Sequence, residues 1–365
     1  MPLRDAIASE ERLKRPPSIC SILPLEILDD VCRRLSRRDL ALFLCANSIF
    51  KEISDRVLYH TIDNLRLPQC ISCLQTLANN ERLSSYVRTL EIDLHETTPT
   101  ANFYHLLHRV LKRLTHLADL SLEVPRHHYP FWILFDCTFS LKHFATSMPC
   151  KPALAHFLDT QPSIAELSLR GFQHDDYNVI HFFDPIFTYA HDPANFCLSP
   201  TALPNLTQFR TVHGRPSVIA TVVAGRPIQM ASIPLFPSLT TEALQALALS
   251  TSPIKRLSVM SFDHSADELL LAAIAKEFPE LDALHIVVLL TEYSNEHLRA
   301  SGPALRKFKS LRYITFMAPI DDASEDDEQA IAKLWHKYCP TLETVILSQG
   351  KVWFQSASSW NSLNE

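Results

Sequence analysis

The stretch DELLLAAIAKEFPELDALHIVVL, residues 267–289, carries the pattern on which the fold turns. Its first half is amphipathic at helical spacing, Pro279 ends the helix, and Leu281, Leu284 and Ile286 then recur at i, i+3 and i+5 in a strand-like phrase. Proline cannot continue a helix and biases the residue before it toward extended backbone, so it marks the turn from helix to strand. The same order stands in EDDEQAIAKLWHKYCPTLETV at 325–345 and in PALAHFLDTQPSIAEL at 152–167. Related phrases begin at Val87, Leu117, Ile164, Leu206, Ile254, Leu311 and Leu342, with a weaker copy at Leu141. A unit of helix, proline turn and strand, repeated, stacks into a parallel sheet on one side and helices on the other, each unit burying its neighbour's apolar face.

The strand phrase resembles that of leucine-rich repeats, which implies an irregular solenoid with parallel strands and outer helices. The intervals are uneven, and the asparagine usual after the repeat's leucine core is absent. An ordinary α/β domain also alternates helices and strands. A dinucleotide-binding version of it needs glycines in its phosphate turn, and this chain has five, widely scattered. The longest interval holds HGRPSVIATVVAGRPIQMASIPLFPSL from His213. Its paired Gly-Arg-Pro triplets suit either a binding loop or a crossover padded with one extra strand, SVIATVVAG.

Composition narrows the function classes. With 365 residues and 47% apolar content the chain can bury a sizeable core. A net charge of -6 argues against general nucleic-acid binding, which needs a basic surface. No stretch approaches the roughly 18 apolar residues of a membrane helix, and the N-terminus MPLRDAIASEERLKRPP is charged, so no membrane association is expected. Nine cysteines without framework spacing fit reduced thiols. These features imply a cytoplasmic or nuclear protein, with residues 1–19 as a tail in which KRPP reads as solvated basic chain.

Residues 20–62 spell three short helices. Pro24 suits a first turn, with Ile27, Leu28, Val31 and Leu35 placed on one face. Ser36 and Asp39 cap a second helix carrying Leu40, Phe43 and Leu44, and Asn47 caps a third that ends near Leu58 and Tyr59. So small a bundle cannot turn Leu23, Leu25, Leu28 and Leu42 all inward, so it is either the cap of the following domain or a docking module. The order Leu23-Pro24, Glu26-Ile27, Leu35, Asp39-Leu40 and Leu58-Tyr59 resembles the F-box motif, with CAN at 45–47 in place of the usual Val-Cys pair and Phe50 near a frequent Trp. The resemblance implies docking on the small adaptor subunit of cullin-RING ubiquitin ligases through Leu23, Pro24, Ile27, Leu28, Val31, Leu35, Leu40 and Leu44. Together with the repeats at 63–350 and a tail at 351–365, it implies a substrate receptor that does no chemistry itself. The alternative is a repeat scaffold with no ligase.

Motifs for chemistry are sparse. There is no phosphate loop, nucleophile elbow or zinc helix, and no cofactor is implied. Cys70 and Cys73 form a lone CxxC that reads as two thiols on a helix. His127, His128, His174, Asp175 and Asp176 lack the spacing of a metal site. The acidic run from Asp321 reads as a helix start capped by Ser324. With the leucines inward, Glu91, Asp93, Ser121, Glu123, Ser168, Arg170, Ser258, His285 and Thr315 face outward from the strands. A protein target is expected there, with Glu91, Asp93, Glu123, Arg170 and His285 as its contacts, and along the loops at 126–129 and 173–177. Trp353, Phe354 and Trp360 form either a cap on the repeat end or an aromatic contact surface.

Overall fold

The computed structural model describes residues 24–95, 97–125, 130–171, 195–263, 270–290, 293–319, 324–356 and 359–362, in two compact units. The first holds 1–92, 101–117 and 137–139, and the second the remainder.

The first unit opens with α1 (Leu25–Arg34), α2 (Arg37–Phe43) and α3 (Ser48–His60). Ser36 Oγ accepts the Asp39 N–H and Asn47 Oδ1 accepts the Phe50 N–H, so two side chains cap helix starts as the spacing predicts. The module does not stand alone. It continues through β1 (Thr61–Ile62), α4 (Leu67–Asn79), α5 (Glu81–Tyr86), β2 (Thr89–Asp93) and α6 (Ala101–Leu111). Helix α3 packs on α5, where Arg82 pairs with the buried Asp55 at 2.7 Å, and β1 pairs parallel with β2.

The second unit runs as one ladder. Strands β3 (Asp119–Glu123), β4 (His143–Thr146), β5 (Glu166–Leu169), β6 (Gln208–Thr211), β7 (Met230–Leu235), β8 (Arg256–Ser261), β9 (Ala283–Val288), β10 (Tyr313–Met317) and β11 (Thr344–Ile346) lie parallel in chain order. A doubly wound sheet would reorder its strands, and this one does not. The connecting helices are α7 (Pro152–Asp159), α8 (Pro216–Val223), α9 (Thr240–Leu247), α10 (Leu270–Glu277), α11 (Asn295–Ser301) and α12 (Glu325–Tyr338).

The i, i+3, i+5 residues form the core: Leu281, Leu284 and Ile286 are buried, as are Ile164, Leu167 and Leu169 and Leu311, Ile314 and Phe316. In place of an asparagine ladder the backbone supplies its own. The carbonyl of Ala118, just before β3, accepts both the Lys142 and His143 N–H groups, at 2.7 and 3.1 Å. The same double acceptance recurs at Lys142, Ala165, Thr207, Gln229, Lys255, Asp282 and Arg312, using both lone pairs of each oxygen.

Two segments depart from the sequence reading. SVIATVVAG is not an extra strand but most of α8, with Pro216 in its first turn and Val218, Ile219, Val222 and Val223 all buried. So short a run of β-branched residues is ambiguous in sequence, and burial of one helical face, at i, i+1, i+4 and i+5, overrides their strand preference. The strand of that interval lies further on, as β7, and it divides the gap. Its Ile228, Ala231 and Ile233 keep the repeat pattern with a small residue at the centre. At the far end β12 (Val352–Ser356) and β13 (Ser359–Ser362) add antiparallel to β11, with Trp353 and Trp360 buried. The aromatic tail is thus a cap on the repeat end and does not present its tryptophans to a partner.

Candidate functional site

The helical module has a core of its own. Leu28, Cys32, Leu40 and Ile53 are buried together, with Leu35, Phe50 and Val57 packed against them. Phe43 meets Phe50 edge to face, ring centroids 5.0 Å apart. Asp29 accepts from Arg33 at 2.9 Å and from Arg56 at 2.7 Å, which braces α1 against α3. Burial works to raise the Asp29 pKa, but the two guanidinium groups outweigh it and hold the carboxyl below its usual value.

This core corrects the single face assigned to α1. Adjacent helical residues stand about 100° apart, so Ile27 and Leu28 cannot share a partner. Leu28 faces inward and Ile27 and Val31 outward. Leu28 and Leu40 are occupied inside the bundle and are not free to contact an adaptor. Leu35 and Leu44 are half-buried, Pro24 is exposed at the start of α1, and Leu23 lies outside the described residues. The outward apolar set is Leu25 at 58%, Ile27 at 49%, Val31 at 43%, Leu42 at 68% and Ile49 at 39% exposure. Leu25, Leu42 and Ile49 were missing from the docking set, although the crowding of so small a bundle already signalled Leu25 and Leu42.

In the second unit, alternate strand residues face away from the helices. Much of the charge there is paired across strands. Arg170 donates to Glu123 at 2.8 Å and to Ser168 Oγ at 3.3 Å, Arg210 lies 3.4 Å from Glu166, and Asp119 pairs with His143. Arg312 binds Glu343 through two bonds, at 2.8 and 2.7 Å. Glu123 and Arg170, expected as separate target contacts, therefore neutralise each other. Ser168 stands in the outward row, in register with Arg210, but is buried and accepts a bond from the Arg170 side chain. Glu91 and Asp93 are exposed on β2, and Asp93 accepts the His95 N–H at 2.9 Å.

Across β6 to β10 lies a shallow groove lined by, among others, Arg210, Met230, Arg256, Ser258, His285 and Tyr313. His285 Nδ1 is 3.1 Å from Ser258 Oγ, and Thr315 stands beside it on β10. Sequence reasoning found Ser258, His285 and Thr315 but missed Met230, Arg256 and Tyr313. Their signal was the position two after the first apolar residue of each phrase, which also points outward.

Among the described residues no three His, Cys, Asp or Glu side chains are placed to hold an ion, and the histidines at 127, 128 and 174 lie outside those residues. Cys70 and Cys73 sit on α4, Cys70 buried and Cys73 half-buried. Burial, with Cys73 adding to it, pushes the Cys70 thiol up to about 12. At neutral pH it carries almost no thiolate, the reactive form. Iodoacetamide should label the exposed Cys45 and Cys197 in the native protein and reach Cys70 only after denaturation. Mass-spectrometric mapping that found Cys70 alkylated first would refute this.

No helix among the described residues is long and apolar enough to cross a membrane. The chain matches no protein-family model and no curated protein.

Proposed function

We propose that this chain is a non-catalytic substrate receptor of a cullin-RING ubiquitin ligase, docking the adaptor through α1 and α2 and a protein target through the sheet of its second unit. One observation carries the adaptor half. Ile27 and Val31, one turn apart on the outward side of α1, remain exposed along with Leu25 and Leu42 although the core of the module is already filled, and apolar residues beyond what so small a bundle can bury favour a partner. The F-box-like order of residues 23–59 names the kind of partner. The sheet carries the target half, with an outward face on which side chains such as Arg256 and Tyr313 are exposed.

The test is binding of purified full-length chain to the adaptor subunit, compared with Ile27→Asp/Val31→Asp. Both side chains are exposed, so the variant should fold as the wild type does and keep its thermal transition. Placing two carboxylates in an apolar interface should weaken binding by about a hundredfold or more. If wild type shows no adaptor binding, or the double variant binds equally well, the ligase assignment falls and a scaffold without ligase replaces it.

A further inference from the structure

We infer that the groove across β6 to β10 binds an extended acidic peptide of the target protein, an inference that rests on the receptor reading above and gives the target its chemistry. Among the described residues the groove is lined by two arginines and a histidine, Arg210, Arg256 and His285, and by no acidic side chain. Elsewhere on the same sheet the charges are matched, Asp119 with His143, Glu123 with Arg170 and Arg312 with Glu343. Here they are not. Among the described residues the exposed Arg256 side chain has neither ion pair nor hydrogen bond, and Arg210 is held only by a single contact to Glu166 at 3.4 Å. A guanidinium without a carboxylate is a ready partner for one, because its planar fork matches carboxylate geometry.

The strand register sets the spacing of the acids. Arg210, Ser232, Ser258, His285 and Thr315 form one row across the sheet, and Gln208, Met230, Arg256, Ala283 and Tyr313 form the row beside it. Strands lie about 4.8 Å apart, so Arg210 on β6 and His285 on β9 are separated by about 14 Å. An extended peptide crossing the strands rises about 3.4 Å per residue and covers that distance in about four residues, and its side chains at i and i+4 face the same way. Acids at i and i+4 would meet Arg210 and His285, with Arg256 between them on the flanking row. The hydroxyls of Ser232, Ser258 and Thr315 offer bonds to the peptide backbone, and Met230 and Tyr313 give apolar contact. Two arginine cations suit a short acidic segment better than a nucleic acid, whose phosphates call for a longer basic track.

Selection from a random-peptide display library against the full-length chain tests this without the adaptor, so its failure is separate from failure of the ligase reading. Acidic residues should be enriched at i and i+4. A synthetic selected peptide should lose about tenfold or more in affinity on Arg256→Glu, and its glutamine-substituted form should bind comparably weakly to wild type. Arg256 is exposed, so an unchanged thermal transition in the variant verifies that the fold is intact. Enrichment of apolar or basic peptides, acidic enrichment indifferent to Arg256→Glu, or Arg256-dependent binding of a labelled oligouridylate in place of peptide would each overturn the inference.

Discussion

Replacing Arg226 with Ala should destabilise the second unit by roughly 3–5 kcal/mol, the sum of several buried carbonyls left without donors. The side chain is 3% exposed and, among the described residues, makes no ion pair. It donates instead to five backbone oxygens: Nε to Ala202 at 2.9 Å, Nη1 to Thr221, Val222 and Ala224, and Nη2 to Ser199 at 3.1 Å. Three of those oxygens belong to the end of α8 and its following residue, where carbonyls run out of helical partners. Gly225, at φ +76°, turns the chain so that Arg226 can fold back over that end. Burial lowers the guanidinium pKa and the nearby Asp159 opposes the shift, yet arginine starts so high that the charge remains. Arg226→Lys keeps a charge but has three donors on one nitrogen and no fork, so it should recover only part of the loss. Denaturant unfolding monitored by far-UV circular dichroism measures both variants, and an Arg226→Ala midpoint equal to wild type would remove the capping role.

The second large effect is expected at the C-terminal end of the ladder, where Glu328→Ala should loosen the terminal hairpin and cost about 2–4 kcal/mol. Glu328 is 2% exposed on α12. Its two carboxylate oxygens accept the Gln349 N–H at 2.9 Å and the Trp353 indole N–H at 3.2 Å, and neighbouring Gln329 donates to the Trp360 carbonyl at 2.9 Å. Truncation leaves two donors with no acceptor and a void beside Trp353. A ladder of parallel strands needs its last edge covered, and β12 with β13 covers β11. Hydrogen exchange should therefore accelerate across 352–362 in Glu328→Ala, with an intermediate effect in Glu328→Gln, which retains one acceptor oxygen. Exchange unchanged in the alanine variant would mean that the hairpin is held by strand pairing alone.

The order of the ladder was legible because its determinants are local. Each strand phrase puts Leu, Ile, Val or Phe at i, i+3 and i+5, and Pro162, Pro279 and Pro340 separate helix from strand. Ser36, Asn47 and Ser324 were readable as helix caps for the same reason, since each bonds an N–H only three residues away. Local pattern failed where two outcomes share it. PSVIATVV is helix rather than strand because Val218, Ile219, Val222 and Val223 are buried together as one helical face, a choice made by tertiary packing. Ala231 hid β7 because a small residue in a core row weakens the pattern without breaking the ladder.

The sites divide in the same way. Periodicity alone determined which strand positions would face outward and that the three-helix module would have apolar residues to spare. Only the tertiary structure decided that Leu28 and Leu40 fill the module's own core while Ile27 and Val31 are left outside. It also decided that Glu123 and Arg170, 47 residues apart in the chain, neutralise each other while Arg256 goes unmatched. The physical reason is range: a helix turn or a proline acts over a few residues, whereas a charge is paired or left free by neighbours that only the stacking of strands brings within a few ångströms.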